Sequence, residues 1–99
     1  MNATHSVGLR IAATHPALPG HFPGNPVVPG VVLLERVAAA CKAWRGIVVG
    51  KLDAKFVQPL LPDEDAMIEL HQDGTRIRFV VIRADGQPLA RGSMAALKV

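Results

Sequence analysis

Two side chains in this sequence have the type and setting for acid–base chemistry. His21 lies in Gly20-His21-Phe22-Pro23-Gly24-Asn25-Pro26, a run dominated by prolines and glycines. Glu35 follows fourteen positions later, inside Val31-Val32-Leu33-Leu34-Glu35-Arg36-Val37-Ala38. An imidazole titrates near the working pH, so it can take a proton and return it. The surrounding prolines and glycines fix its backbone, as a preorganised group requires. Glu35 has few polar neighbours in sequence, and an apolar setting would disfavour the charged carboxylate and retain its proton. A base on a stiff loop and an acid on an oily helix suit proton abstraction beside a carbonyl, followed by loss of water. Plainer readings stand beside these. His21 can hold its turn through backbone hydrogen bonds, and Glu35 can form a weak surface pair with Arg36.

Backbone supplies a third candidate. Pro29-Gly30-Val31 begins a helical run, where N–H groups without helical partners and the positive end of the dipole gather. Gly30 lets a ligand approach closely, and such donors can stabilise charge developing on a carbonyl oxygen. A simple turn role for Gly30 is an equal alternative. The remaining groups are less informative. His5, His15 and His71 have no Cys, His or carboxylate at metal-ligand spacing, so no metal site is expected. Cys41 sits among apolar residues with only Lys42 nearby, which favours packing over nucleophilic chemistry. Asp63-Glu64-Asp65 reads as a solvated turn. No phosphate-binding loop and no Gly-Xaa-Ser-Xaa-Gly motif occurs.

These groups need a scaffold. A short strand is expected over Gly8–Thr14, with Leu9, Ile11 and Ala13 on one face. His15–Val28 reads as a loop, because Pro16, Pro19, Pro23 and Pro26 bar a helix. Pro29 then opens a helix that runs over Gly30–Arg45 and stops at Gly46. Apolar residues surround most of that helix, so other structure is expected to wrap it. Strands follow over Ile47–Val57, Ala66–Gln72, Thr75–Ala84 and Leu89–Val99. Asp73-Gly74 and Asp85-Gly86 are hairpin signals. The expected class is α+β: one buried helix followed by an antiparallel meander of four strands.

Composition sets the outer limits. Ninety-nine residues make one domain, residues 1–99. The chain is 49% hydrophobic and 19% charged, with mean hydropathy +0.27. That is rich in apolar residues for a small monomer, so a subunit interface is expected. The uncharged run His15 to Leu34 contains five prolines and cannot span a membrane as a helix. Residues 1–10 lack a basic head followed by an apolar stretch, and a single cysteine permits no intrachain disulfide. A cytoplasmic location is expected. The net charge of +3 invites a nucleic-acid reading, but the basic residues are scattered and no such motif appears. An acidic protein partner suits the mild positive field at least as well.

The run Gly20 to Glu35 resembles the active-site motif of the β-hydroxyacyl-acyl-carrier-protein dehydratases. Asp53-Ala54-Lys55-Phe56-Val57-Gln58-Pro59-Leu60-Leu61-Pro62-Asp63 resembles the strand and turn that follow the helix in that family. The resemblance implies a hotdog fold, one long central helix wrapped by a curved antiparallel sheet. It implies that His21 removes the α-proton, Glu35 protonates the departing β-hydroxyl, and the Gly30 N–H holds the thioester carbonyl. Phe22, Pro23, Gly24 and Val31 would line the substrate. It implies no cofactor and no metal. Acyl carrier protein would deliver the substrate. A homodimer, or an oligomer with another hotdog subunit, would place His21 and Glu35 of one site on different chains. The chain is shorter than typical members, in which respect it is similar to the small dehydratase-like proteins of aryl polyene pathways. It carries Ala39 where the family often has Gln, and Arg36 where a small residue is common.

Overall fold

The computed structural model describes residues 2–16 and 27–97. Five strands and one helix follow in the order β1 (Asn2–Leu9), α1 (Gly30–Arg45), β2 (Val49–Phe56), β3 (Ala66–Asp73), β4 (Arg76–Arg83) and β5 (Pro88–Ala96). All strand pairs are antiparallel, in a single sheet of order β1-β3-β4-β5-β2. This is the α+β architecture expected of a hotdog fold.

Alternation builds the sheet. Ile68 and Leu70 in β3, and Ile77, Phe79 and Val81 in β4, are buried, while Met67, His71, Arg76 and Arg78 between them are exposed. Leu89, Ala90 and Met94 of β5 complete the inner face. Helix α1 lays Leu33, Val37 and Cys41 on that face, at a spacing of four residues, with Val32 beside them. Burying each large side chain of this set contributes about 1.5–3 kcal/mol. Gly46 ends the helix in the left-handed region (φ 68°), and its N–H caps the Lys42 carbonyl.

Two sequence expectations change. The first strand lies over Asn2–Leu9, not Gly8–Thr14. Its partner β3 fixes the register from Asn2↔Asp73 to Leu9↔Ala66, and a turn follows. In that turn the His15 N–H donates to the Ala12 carbonyl. The second change concerns β2, which does not continue a four-strand meander. β1 occupies the free side of β3, so β2 pairs with β5 at the far edge. Residues 57–65 cross between the two. The Asp63-Glu64-Asp65 run braces this crossing, so it is more than a solvated turn. The Asp63 N–H bonds the Ile11 carbonyl, the Asp63 carboxylate accepts from the Ala13 N–H, and Glu64 accepts from the Leu61 N–H. The sheet leaves one side of α1 open. Val31, Glu35, Arg36, Ala39 and Lys42 are exposed, Val31 at 61%. Pro29 also stands just outside the helix as its N-cap (φ −60°, ψ 143°).

Gly92 marks the tightest packing of the sheet. A Cβ there would collide with the Asp53 carbonyl oxygen and lie 2.9 Å from the Phe79 ring. Backbone cannot yield as a flexible side chain can. Gly92→Ala is therefore expected to destabilise the fold by about 1–3 kcal/mol, the usual scale for overpacking. Denaturant unfolding measures this, and an unchanged midpoint contradicts the packing account.

Candidate active site

The start of α1 has donors without helical partners. Pro29 has no N–H and no side-chain cap, and the first turn holds no acidic residue. Its carbonyl accepts from the N–H groups of Val32 (3.0 Å) and Leu33 (3.4 Å). The N–H groups of Gly30 and Val31 precede any possible acceptor within the helix. The positive end of the helix dipole adds to them.

Two crossing connections hold this helix start in place. The buried Val28 donates its N–H to the carbonyl of the buried Leu60 (2.9 Å). Beyond β2, the N–H groups of Val57 and Gln58 both bond the Leu89 carbonyl (2.8 and 3.2 Å). Helix start and strand end thus face each other across a cavity of about 500 Å³. Val28, Leu33, Leu60 and Phe56 give it apolar walls, and Gln58 is the one polar side chain among the described residues that line it. Gly30 opens onto it because Phe56 lies against Gly30. A Cβ at position 30 would stand 2.6 Å from Phe56 Cζ. A side chain here fits only if the ring of the half-exposed Phe56 moves, so glycine is what lets the ring lie against the helix start. Sequence reasoning missed Phe56. Its place at the end of a strand gave no sign that the ring reaches the helix.

Glu35 stands one helical turn beyond Val31, on the same exposed side of α1. The apolar setting expected for its carboxylate is therefore not supplied by the described residues. The sheet packs on the opposite stripe of Leu33, Val37 and Cys41. His21, Phe22, Pro23 and Gly24 lie outside the described residues. Cys41 is fully buried, and desolvation pushes its thiol pKa up. Its Sγ lies 3.5 Å from Met94 Sδ, a packing arrangement that keeps the thiol protonated. His5 stacks on Trp44 at 5.3 Å, and Arg45 lies 4.8 Å from the same ring. That cluster ties β1 to the far end of the helix, away from the cavity. No helix among the described residues is long and apolar enough to cross a membrane.

An uncapped helix start, an apolar cavity and a carboxylate one turn further along fit the resemblance read from the sequence. A family model described as ApeI-like, ApeI dehydratase, matches residues 1–93. The chain belongs to the ApeI-like dehydratase family. It is 31% identical over 100 residues to the 3-hydroxyacyl-[acyl-carrier-protein] dehydratase FabZ of Klebsiella pneumoniae. That match covers 85% of this chain and 66% of the relative, so the chain spans just under two thirds of its length. Among solved structures, the Xenorhabdus doucetiae dehydratase heterocomplex ApeI:P aligns with a TM-score of 0.84 at 19% identity. It covers 99% of this chain and 95% of that one. The mouse thioesterase superfamily member 2 aligns with a TM-score of 0.73 at 13% identity, covering 96% and 81%. Structural likeness at these identities shows the hotdog fold alone. Because the fold also carries thioesterases, it does not select the dehydratase chemistry.

The Gly30–Phe56 contact in this ApeI-like chain is measurable. Gly30→Ala must push the ring aside, and Phe56→Ala removes the obstacle. A double-mutant cycle on stability is expected to give a coupling of at least about 0.5 kcal/mol. Additive costs indicate that the two positions do not touch.

Proposed function

We propose that this protein dehydrates a 3-hydroxyacyl thioester carried on acyl carrier protein. The products are a trans-2-enoyl thioester and water. One observation carries the reading: the uncapped start of α1 opens on an apolar cavity, with Glu35 one turn further along. The Gly30 N–H, with the helix dipole behind it, holds the thioester carbonyl and stabilises the enolate-like charge that develops there. His21 takes the α-proton as the electron pair moves toward that carbonyl. Glu35 gives a proton to the β-hydroxyl, which leaves as water while the double bond forms. Phe22, Pro23, Gly24 and Val31 shape the substrate channel.

Assembly completes the site in this reading. β2 is an edge strand whose neighbourhood exposes Val31, Phe56 and Val57. Pairing along this edge would shield that surface and surround Glu35 with apolar groups. The second chain is another copy or a different hotdog subunit, and it supplies His21 to the Glu35 of its neighbour. The heterocomplex among the structural relatives favours a second version of this reading. In that version the chain is catalytically weak alone and serves a partner dehydratase subunit. The reaction takes place in the cytoplasm and uses neither cofactor nor metal.

Hydration of a trans-2-enoyl thioester by the purified protein, followed as loss of enoyl absorbance, tests the reaction. His21→Ala and Glu35→Gln are each expected to lower the rate by roughly 10²-fold or more, with folding intact. Near-wild-type turnover in either variant removes that residue from the mechanism. Salt should raise KM for the carrier-bound substrate and leave a small pantetheine thioester nearly unaffected. Equal responses argue against electrostatic docking of the carrier.

A further inference from the structure

Phe56 touches both parts of the site that matter to an acyl group. It ends β2, paired with Ala90 of β5, and its ring crosses to the first turn of α1. A carbon added at Gly30 would stand 2.6 Å from Cζ and 3.0 Å from each Cε. The equal Cε distances centre Gly30 on the midline of the ring, at its Cζ end. Phe56 is 49% exposed, so it is not a core residue. Around it the backbone is tied down. Val57 and Gln58 bond the Leu89 carbonyl, and Val28 bonds the Leu60 carbonyl. Because that frame is fixed, the size of side chain 56 directly sets how much of the cavity stays open.

Building on the dehydratase reading, we propose that Phe56 determines acyl specificity by walling the space beyond Gly30. A carbonyl held at the Gly30 N–H places its α and β carbons beside the ring. An unbranched chain, flat once the trans double bond has formed, lies along an aromatic wall. Branches, or a long chain that must turn, meet it. The substrate class that follows is an unbranched acyl thioester whose length is limited by side chain 56. An apolar pocket discriminates about tenfold or more per methylene-sized change in fit, which is enough to set a preference.

Binding and turnover together test this. Acyl-pantetheine analogues with a methylene in place of the thioester sulfur, and with no hydroxyl to lose, cannot react. Calorimetry reads their affinity for butanoyl, hexanoyl and decanoyl chains. Phe56→Ala is expected to raise the decanoyl-to-butanoyl affinity ratio about tenfold, and Phe56→Leu to raise it less. Phe56→Tyr keeps the ring and should keep the ratio close to wild type. Melting curves check folding, and Phe56→Leu carries the test if Phe56→Ala does not fold. An unchanged ratio, a parallel loss at every length, or no binding by the wild type overturns the proposal. Enoyl hydration on the same proteins separates the two readings. Shifted ratios without turnover retire the dehydratase reading and keep the wall; turnover with unshifted ratios does the reverse.

Discussion

The close approach of the end of β2 to the first turn of α1 is the constraint on which the site depends. A side chain at position 30 would meet the Phe56 ring, so glycine at the helix start is what allows the ring to lie against it. Pro29 contributes no N–H and no side-chain cap, so the first amides have no partner within the helix. The Val28–Leu60 bond and the pair of bonds to the Leu89 carbonyl hold the two elements at this separation. A side-chain N-cap would occupy these donors, and a bulkier first residue would displace the Phe56 ring. A helix start left unsatisfied beside a cavity departs from ordinary local optimisation, and such departures gather at functional sites.

The second constraint is coverage. One sheet can bury one side of one helix. Leu33, Val37 and Cys41 take that side, and Val31, Glu35 and Ala39 remain on the other. The edge strand β2 and the neighbouring Val48, Phe56 and Val57 are also exposed. On the proposed reading these exposed parts belong to one surface, and the environment of Glu35 is a property of the assembly. An acid that works in apolar surroundings would then acquire them only when a second chain arrives.

Much of this was legible in the sequence, for reasons that differ between elements. Helix α1 was readable because Pro29 and Gly46 punctuate an apolar run. Asp73-Gly74 located the β3–β4 hairpin within a residue. Strand β1 was misplaced because Asn2-Ala3-Thr4-His5-Ser6 has little β-propensity, and its strand character comes from pairing with β3. The position of β2 at the far edge is a long-range choice that no local pattern encodes. Helical periodicity reports which residues of α1 are apolar, not which side the sheet takes, so it does not reveal that Glu35 is exposed in the single chain. Phe56 was overlooked because a cross-element contact between a ring and a glycine leaves no mark on either segment alone. His21 stands out as an acid–base candidate from its proline- and glycine-rich setting, its role as the α-proton base is what the family resemblance implies, and it lies outside the described residues.

The central claim is that an exposed Glu35 on one chain works with His21 from another. Complementation measures this directly. His21→Ala and Glu35→Gln proteins, each inactive, are unfolded together, refolded, and assayed for enoyl hydration. Random pairing makes about half the dimers mixed, and each mixed dimer restores one of its two sites, so recovery of about a quarter of wild-type activity is expected from two-fold symmetry. No recovery in a sample verified to contain mixed dimers contradicts the account, because a site contained within one chain would lack a catalytic group in every molecule.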